Sequence, residues 1–116
     1  MTSTAVPQTA QFAAARAILT DPSRGAKLQD SFSNQEKLAF YGLGQQGTYG
    51  DNTDKKPGML DLKKKYMHES HARHKGMPPA EAQAKYVELF FVAMKTYASI
   101  NSKCEGWAAE VAAIKN

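Results

Sequence analysis

The chain has 116 residues, 42% of them apolar and 22% charged, enough for one globular domain but too few for two ordinary ones, and unlike a disordered segment. It contains no uncharged apolar run of about eighteen residues, and its opening Met1-Thr-Ser-Thr-Ala-Val-Pro lacks the basic and apolar regions of a secretory signal, so a cytoplasmic protein is expected. The formal charge is +4, but Lys55 to Lys75 alone carries +5 and the remainder −1. A basic zone on a near-neutral body is what a small anionic partner requires, and equally what a solvated lysine-rich face looks like. The lone Cys104 excludes an intrachain disulfide and a cysteine-based metal site.

The first helix is expected at about 8–20, where Phe12, Ala15 and Leu19 recur at helical spacing without an internal Gly or Pro. Asp21-Pro-Ser-Arg-Gly ends it and opens a long loop to Ser31. Ser33-Asn-Gln-Glu36 is a capping box, which starts a second helix near Asn34 and carries it to about Thr48, with Leu38, Tyr41 and Gln45 along one face. Gly42, Gly44 and Gly47 each cost that helix about 1 kcal/mol relative to alanine, so another helix or a flat ligand should approach its backbone there.

Residues 50–58 are turn-like in composition. A third helix is expected at about 60–74, beginning near Met59 or Leu60 and stopping at Gly76. Pro78 and Pro79 suit the first turn of a fourth, in which Ala82, Tyr86, Leu89, Phe90, Ala93, Met94 and Tyr97 keep a helical rhythm and Phe91 and Val92 widen the apolar surface. Ser102-Lys-Cys-Glu105 offers a second capping box for a short helix at about 103–115, with Trp107, Val111 and Ile114 in register. No strand or internal repeat is evident, so the class is all-α, an up-down arrangement of four core helices with a C-terminal helical extension.

Three pieces in order, Leu38 to Asp51, Pro57-Gly58 and Gly76 to Tyr86, resemble the acyl-CoA-binding protein family. The resemblance implies a four-helix bowl over residues 8–100, followed by an extension at 101–116. It implies that the nucleotide end of coenzyme A, with its 3′-phosphate, is held by aromatic and basic residues of helices 2, 3 and 4, while the acyl chain lies in an apolar groove. Tyr41 and Tyr86 stand where that family sets tyrosines against the nucleotide. Read from the residues alone, the same two are core tyrosines at helical spacing.

Two departures bear on the phosphates. The family's aromatic-lysine pair is here Gly44-Gln45, and its helix 3 pattern Lys-Ala-Lys-Trp-Asp-Ala-Trp appears as Lys65-Tyr66-Met67-His68-Glu69-Ser70-His71. Two phosphate-directed lysines are therefore missing, at Gln45 and Met67, and Lys63 and Lys64 are the nearest replacements on helix 3. The expected ligand-binding set is Leu38, Tyr41, Gln45, Lys63, Lys64, Lys65, Met67 and Tyr86.

The function implied is a non-catalytic, monomeric carrier and buffer of long-chain acyl-CoA, touching membranes or acyl-CoA-using enzymes transiently. The chain has no glycine-framed serine, phosphate loop or Cys-His signature. His68, His71 and His74 do not form a His-Glu-x-x-His motif and no second ligand type is placed to complete a metal shell, so no metal is expected. Nucleic acid is not expected as a partner, since the basic segment lacks interleaved aromatics beyond Tyr66. The alternative is a helical adaptor with a divergent or lost acyl-CoA site, using its basic helix on a protein or an acidic membrane surface.

Overall fold

The computed structural model describes residues 6–52, 58 and 61–116. Among them are five α-helices, α1 (Ala10–Thr20), α2 (Asn34–Tyr49), α3 (Leu62–Ala72), α4 (Pro79–Tyr97) and α5 (Lys103–Ala112), and one 3₁₀ segment, Lys27–Ser31, in the long first loop. The described residues include no strand. Lys55, Lys56, Pro57, Met59 and Leu60 lie outside the described residues, and with them most of the turn expected before α3 and its expected start.

The caps explain where the helices begin. Thr9 accepts from the Phe12 amide at 3.3 Å to start α1. At α2 the capping box forms in both directions, Glu36 N donating to Ser33 Oγ at 3.1 Å and Ser33 N to Glu36 Oε1 at 2.9 Å. Asp61 caps α3 by accepting from the Lys64 amide at 3.1 Å. The second capping box, expected at Ser102, does not form: Ser102 itself has helical backbone angles and makes no side-chain cap bond. Asn101 Oδ1 accepts from the Lys103 amide at 2.9 Å instead. A residue already in the helical region points its side chain away from the orphan amides, which is why the motif fails there.

Helix α2 lies between α3 and α4, while α4 also packs on α1 and α5. The core joins Phe12, Ile18 and Leu19 of α1, Phe40 and Leu43 of α2, Tyr86, Phe90 and Met94 of α4, and Cys104, Trp107 and Val111 of α5. Phe91 is half-buried as the fourth helix's wide apolar surface implied, but Val92 is 61% exposed. Gln83, fully enclosed in this core, ties three segments together. Its Nε2 donates to Pro7 O and Gly47 O, both at 2.9 Å, and its Oε1 accepts from Thr9 N at 2.8 Å.

The approach that the α2 glycines demanded comes from the protein itself. A β-carbon on Gly42 would lie 2.5 Å from Ser70 O and 2.6 Å from Ser70 Oγ, so α3 sits directly on the α2 backbone. Ser70 Oγ closes the contact by donating to Leu38 O. On the far side, Gly44 faces the Tyr86 ring and Gly47 faces Phe12 and Gln83.

Gly42→Ala is accordingly expected to destabilise the protein by about 1–3 kcal/mol through overpacking, in spite of the better helix propensity of alanine. Gly106→Ala in α5, where nothing lies within 4 Å, is expected to stabilise by roughly 0.5–1 kcal/mol. Urea unfolding of both variants checks the contrast; equal shifts would mean that α3 does not press on Gly42.

Glu36 also accepts from Tyr97 Oη at 2.6 Å, joining the start of α2 to the end of α4. The Tyr97 hydrogen bond, then the capping bond from Ser33, holds the Glu36 carboxyl below its ordinary 4.5, and the same pair raises the Tyr97 phenol. A depressed folded-state pKa adds stability that is full above the unfolded value and lost as pH falls through the folded one. Stability should thus decline as pH drops below about 4.5, and Tyr97→Phe should make that decline shallower. Chemical denaturation of both proteins between about pH 3 and 6 measures the difference.

Candidate functional site

The α2 residues turned away from the core define one wall of a cleft. Phe40, Leu43 and Gln46 point inward and are buried, while Leu38, Tyr41 and Gln45, on the face one step round the helix, are half-buried. Opposite them, α3 is held close by the Gly42–Ser70 contact but presents only Ser70 and His71 fully inward. Between α2, α3 and the 3₁₀ segment the surface opens into a cleft of about 750 Å³, lined by Gln29, Asn34, Lys37, Leu38, Tyr41, Lys63, Tyr66 and Met67. That volume lies within the range of small-molecule sites. Apolar stems and rings line it, and two ammonium groups, from Lys37 and Lys63, can sit at its edge.

Four of the expected residues meet there: Leu38, Tyr41, Lys63 and Met67. Lys64 does not line the cleft; its Nζ lies 3.7 Å from Asp61 Oδ2, one turn back along α3. Lys65 is likewise not among the cleft-lining residues. Of Lys63 and Lys64 only Lys63 faces the cleft beside Met67, because successive helical residues diverge by about 100°.

Tyr86 lies elsewhere. It is 3% exposed and belongs to the core, not to the cleft wall. Its ring meets Phe12 and Phe40 edge-on, at centroid distances of 5.1 Å and 5.3 Å. The reason is local: position 44 has no side chain, and a β-carbon there would stand 3.3 Å from the Tyr86 ring, so the ring settles against the bare α2 backbone. Burial pushes its phenol well above the ordinary value of 10, against the opposing pull of the Arg16 charge. At neutral pH it stays protonated.

Gln45 is displaced from the cleft in a different way. Its Oε1 accepts from Arg16 Nη2 at 2.9 Å, and Arg16 Nη1 donates to Thr48 Oγ1 at 2.6 Å. Arg16 thus reaches across from α1 to the outer edge of α2. Neither it nor the cleft residues Gln29, Asn34 and Lys37 was singled out from the sequence. For Asn34 and Lys37 the signal was available, since they lie on the same α2 stripe as Leu38 and Tyr41. For Gln29 and Arg16 there was none, because their positions depend on where a separate segment packs.

Of the three histidines, His71 has a structural role. His71 is buried, with Nε2 2.7 Å from Gly50 O, so that nitrogen carries the proton and donates to the carbonyl at the end of α2. Burial, followed by the Arg73 charge, lowers the pKa of His74. Among the described residues no group of three or more His, Cys, Asp or Glu is placed to hold a metal ion, and no helix is long and apolar enough to cross a membrane.

Comparison with known proteins points the same way as the cleft. The model of the family described as acyl CoA binding protein matches residues 9–90. Acyl-CoA-binding protein homolog 1 of Caenorhabditis elegans is 48% identical over 62 residues, which cover 53% of this chain and 72% of that one. The acyl-CoA-binding protein of Saccharomyces cerevisiae is 34% identical over 67 residues, 58% of this chain and 77% of that one. A crystal structure of ACBP from Moniliophthora perniciosa superposes with a TM-score of 0.72 over 90% of this chain and 95% of its own, at 23% identity, and so shares the fold, the all-helical bowl expected from the sequence. The chain belongs to the acyl-CoA-binding protein family.

Proposed function

We propose that this protein binds long-chain fatty acyl-CoA esters in the cleft between α2, α3 and the 3₁₀ segment, and serves as a non-catalytic carrier and buffer in the cytoplasm. The observation that carries the reading is the cleft itself, about 750 Å³ with Leu38, Tyr41 and Met67 in its wall and Lys37 and Lys63 beside them, in a chain of this family. The tail is buried along the apolar wall at about 0.8 kcal/mol per CH₂. Lys37 and Lys63 attract the phosphates, and the Tyr41 ring covers the nucleotide end. Tyr86 acts from within the core, where its ring against Gly44 sets the spacing of α2 and α4.

The binding unit is residues 8–100, with 101–116 an extension whose α5 braces α1: Gln11 Nε2 donates to Val111 O and Ile114 O, at 3.2 Å and 3.0 Å. Transfer to membranes or to acyl-CoA-using enzymes is served by α3, where Leu62 and Tyr66 stand 57% and 53% exposed among Lys63, Lys64 and Lys65. In this reading the protein works as a monomer.

A lysine lost from the phosphate region weakens binding by roughly 1.5–3 kcal/mol, which two to four methylenes of tail offset. Affinity should therefore climb steeply from free coenzyme A through short to long acyl esters in a calorimetric series. Equal affinity for coenzyme A and its long-chain ester would overturn the reading. Leu38→Asn is expected to weaken a long-chain ester about tenfold or more while leaving free coenzyme A nearly unchanged, as befits loss of one apolar wall residue. Met67→Lys, which places an ammonium group on the cleft wall, should strengthen both about tenfold.

A further inference from the structure

The cleft has a direction. Ser70 of α3 bears on the α2 backbone at Gly42, and every cleft residue of either helix precedes that contact: Asn34, Lys37, Leu38 and Tyr41 on α2, Lys63, Tyr66 and Met67 on α3. The space is therefore closed beyond Tyr41 and widens toward the start of both helices. Across that end stands the 3₁₀ segment, which runs directly into the Ser33 cap of α2 and contributes Gln29. Asn34 lies two helical turns before Tyr41, about 10 Å along the axis. With the nucleotide end of the ligand at Tyr41, a tail can extend only toward Asn34 and Gln29.

Two amides meet it there. Gln29 is half-buried, and its Nε2 donates to Leu19 O, which fixes the side chain and leaves Oε1 without a hydrogen-bond partner among the described residues. The side chain of Asn34, at the exposed rim, likewise has no partner among the described residues, so its donors and its acceptor are both available. Lys37 and Lys63 differ from them, because long stems carry their ammonium groups out to the cleft edge. A plain methyl terminus laid over the two amides would take water from them and offer no hydrogen bond in return, which is unfavourable.

We propose that the cleft selects long-chain acyl-CoA esters whose tail carries a hydroxyl group far from the thioester, a selectivity that rests on the acyl-CoA reading above. A hydroxyl complements both amides at once. Its proton goes to Gln29 Oε1, the acceptor that lacks a donor, and its oxygen accepts from Asn34 Nδ2. A carbonyl or a carboxylate in the same place has no proton to give, and would leave Gln29 Oε1 facing another lone pair. Leu38, Tyr66 and Met67 cover the methylenes in between. Gln29 and Asn34 are thus specificity-determining residues, one supplied by the long first loop and the other by the first turn of α2.

Calorimetry of palmitoyl-CoA, 16-hydroxypalmitoyl-CoA and 3-hydroxypalmitoyl-CoA, on the full chain and on Gln29→Leu and Asn34→Leu, tests this. The unaltered protein should prefer the 16-hydroxy ester over palmitoyl-CoA by about fivefold and show no such preference for the 3-hydroxy ester. Either substitution should reverse the order, so that palmitoyl-CoA binds the tighter by about fivefold. Because all esters are measured on the same variant, partial unfolding cancels in the ratio, and Asn34→Leu removes no hydrogen bond of the folded chain. The proposal fails if the unaltered protein prefers palmitoyl-CoA, if it favours the 3-hydroxy ester equally, or if both substitutions leave the ratio unchanged. Tight binding of palmitoyl-CoA with rejection of the 16-hydroxy ester sinks the selectivity alone, whereas binding of none of the three sinks the carrier reading with it.

Discussion

Close approach to the backbone of α2 is the constraint on which the rest of the molecule depends. A helix with three glycines gives up helix propensity, yet here each omitted side chain is replaced by a neighbour. Gly42 and Gly44 lie roughly 160° apart around the axis, so α2 is approached from two sides at once: Ser70 of α3 on one, Tyr86 of α4 on the other. Tertiary contacts make good the intrinsic deficit. With α2 wedged in this way, α3 stands against it at Ser70 while its N-terminal half is free to lie apart, and the cleft is the space left between them.

The same constraint distributes the aromatic rings. Tyr86 is drawn down onto Gly44 and between Phe12 and Phe40, while Phe32 stacks on Phe40 at 5.3 Å and meets Tyr97 at 5.1 Å. This chain of rings runs through the core from α1 to the end of α4 and ties α1, α2 and α4 together. Charge is handled differently. Lys37 and Lys63 are at the cleft while Arg16 lines a separate depression, so the three charges stand on three separate helices.

Much of this was legible along the chain. The all-α class, the limits of α2 and α4, and the capping box at Ser33 follow from local rules, in which a residue and its neighbours three or four positions away settle the outcome. The glycines in α2 announced a close approach because their cost is intrinsic to the backbone. Leu38, Tyr41, Lys63 and Met67 were reached through the resemblance to the family, since helical spacing by itself leaves Tyr41 as a core tyrosine.

What the linear order left open was decided by packing. Whether Tyr86 lines the cleft or closes the core depends on the size of the residue at position 44, on another helix. Whether Gln45 lines the cleft depends on Arg16, which is 29 residues away and holds the Gln45 side-chain oxygen from α1. Ser102 resembles a cap in sequence, but its backbone is already helical and Asn101 takes the role. Helical periodicity determines which way a side chain leaves its own axis. Only the placement of the neighbouring axes determines whether it then meets solvent, a ligand or another ring.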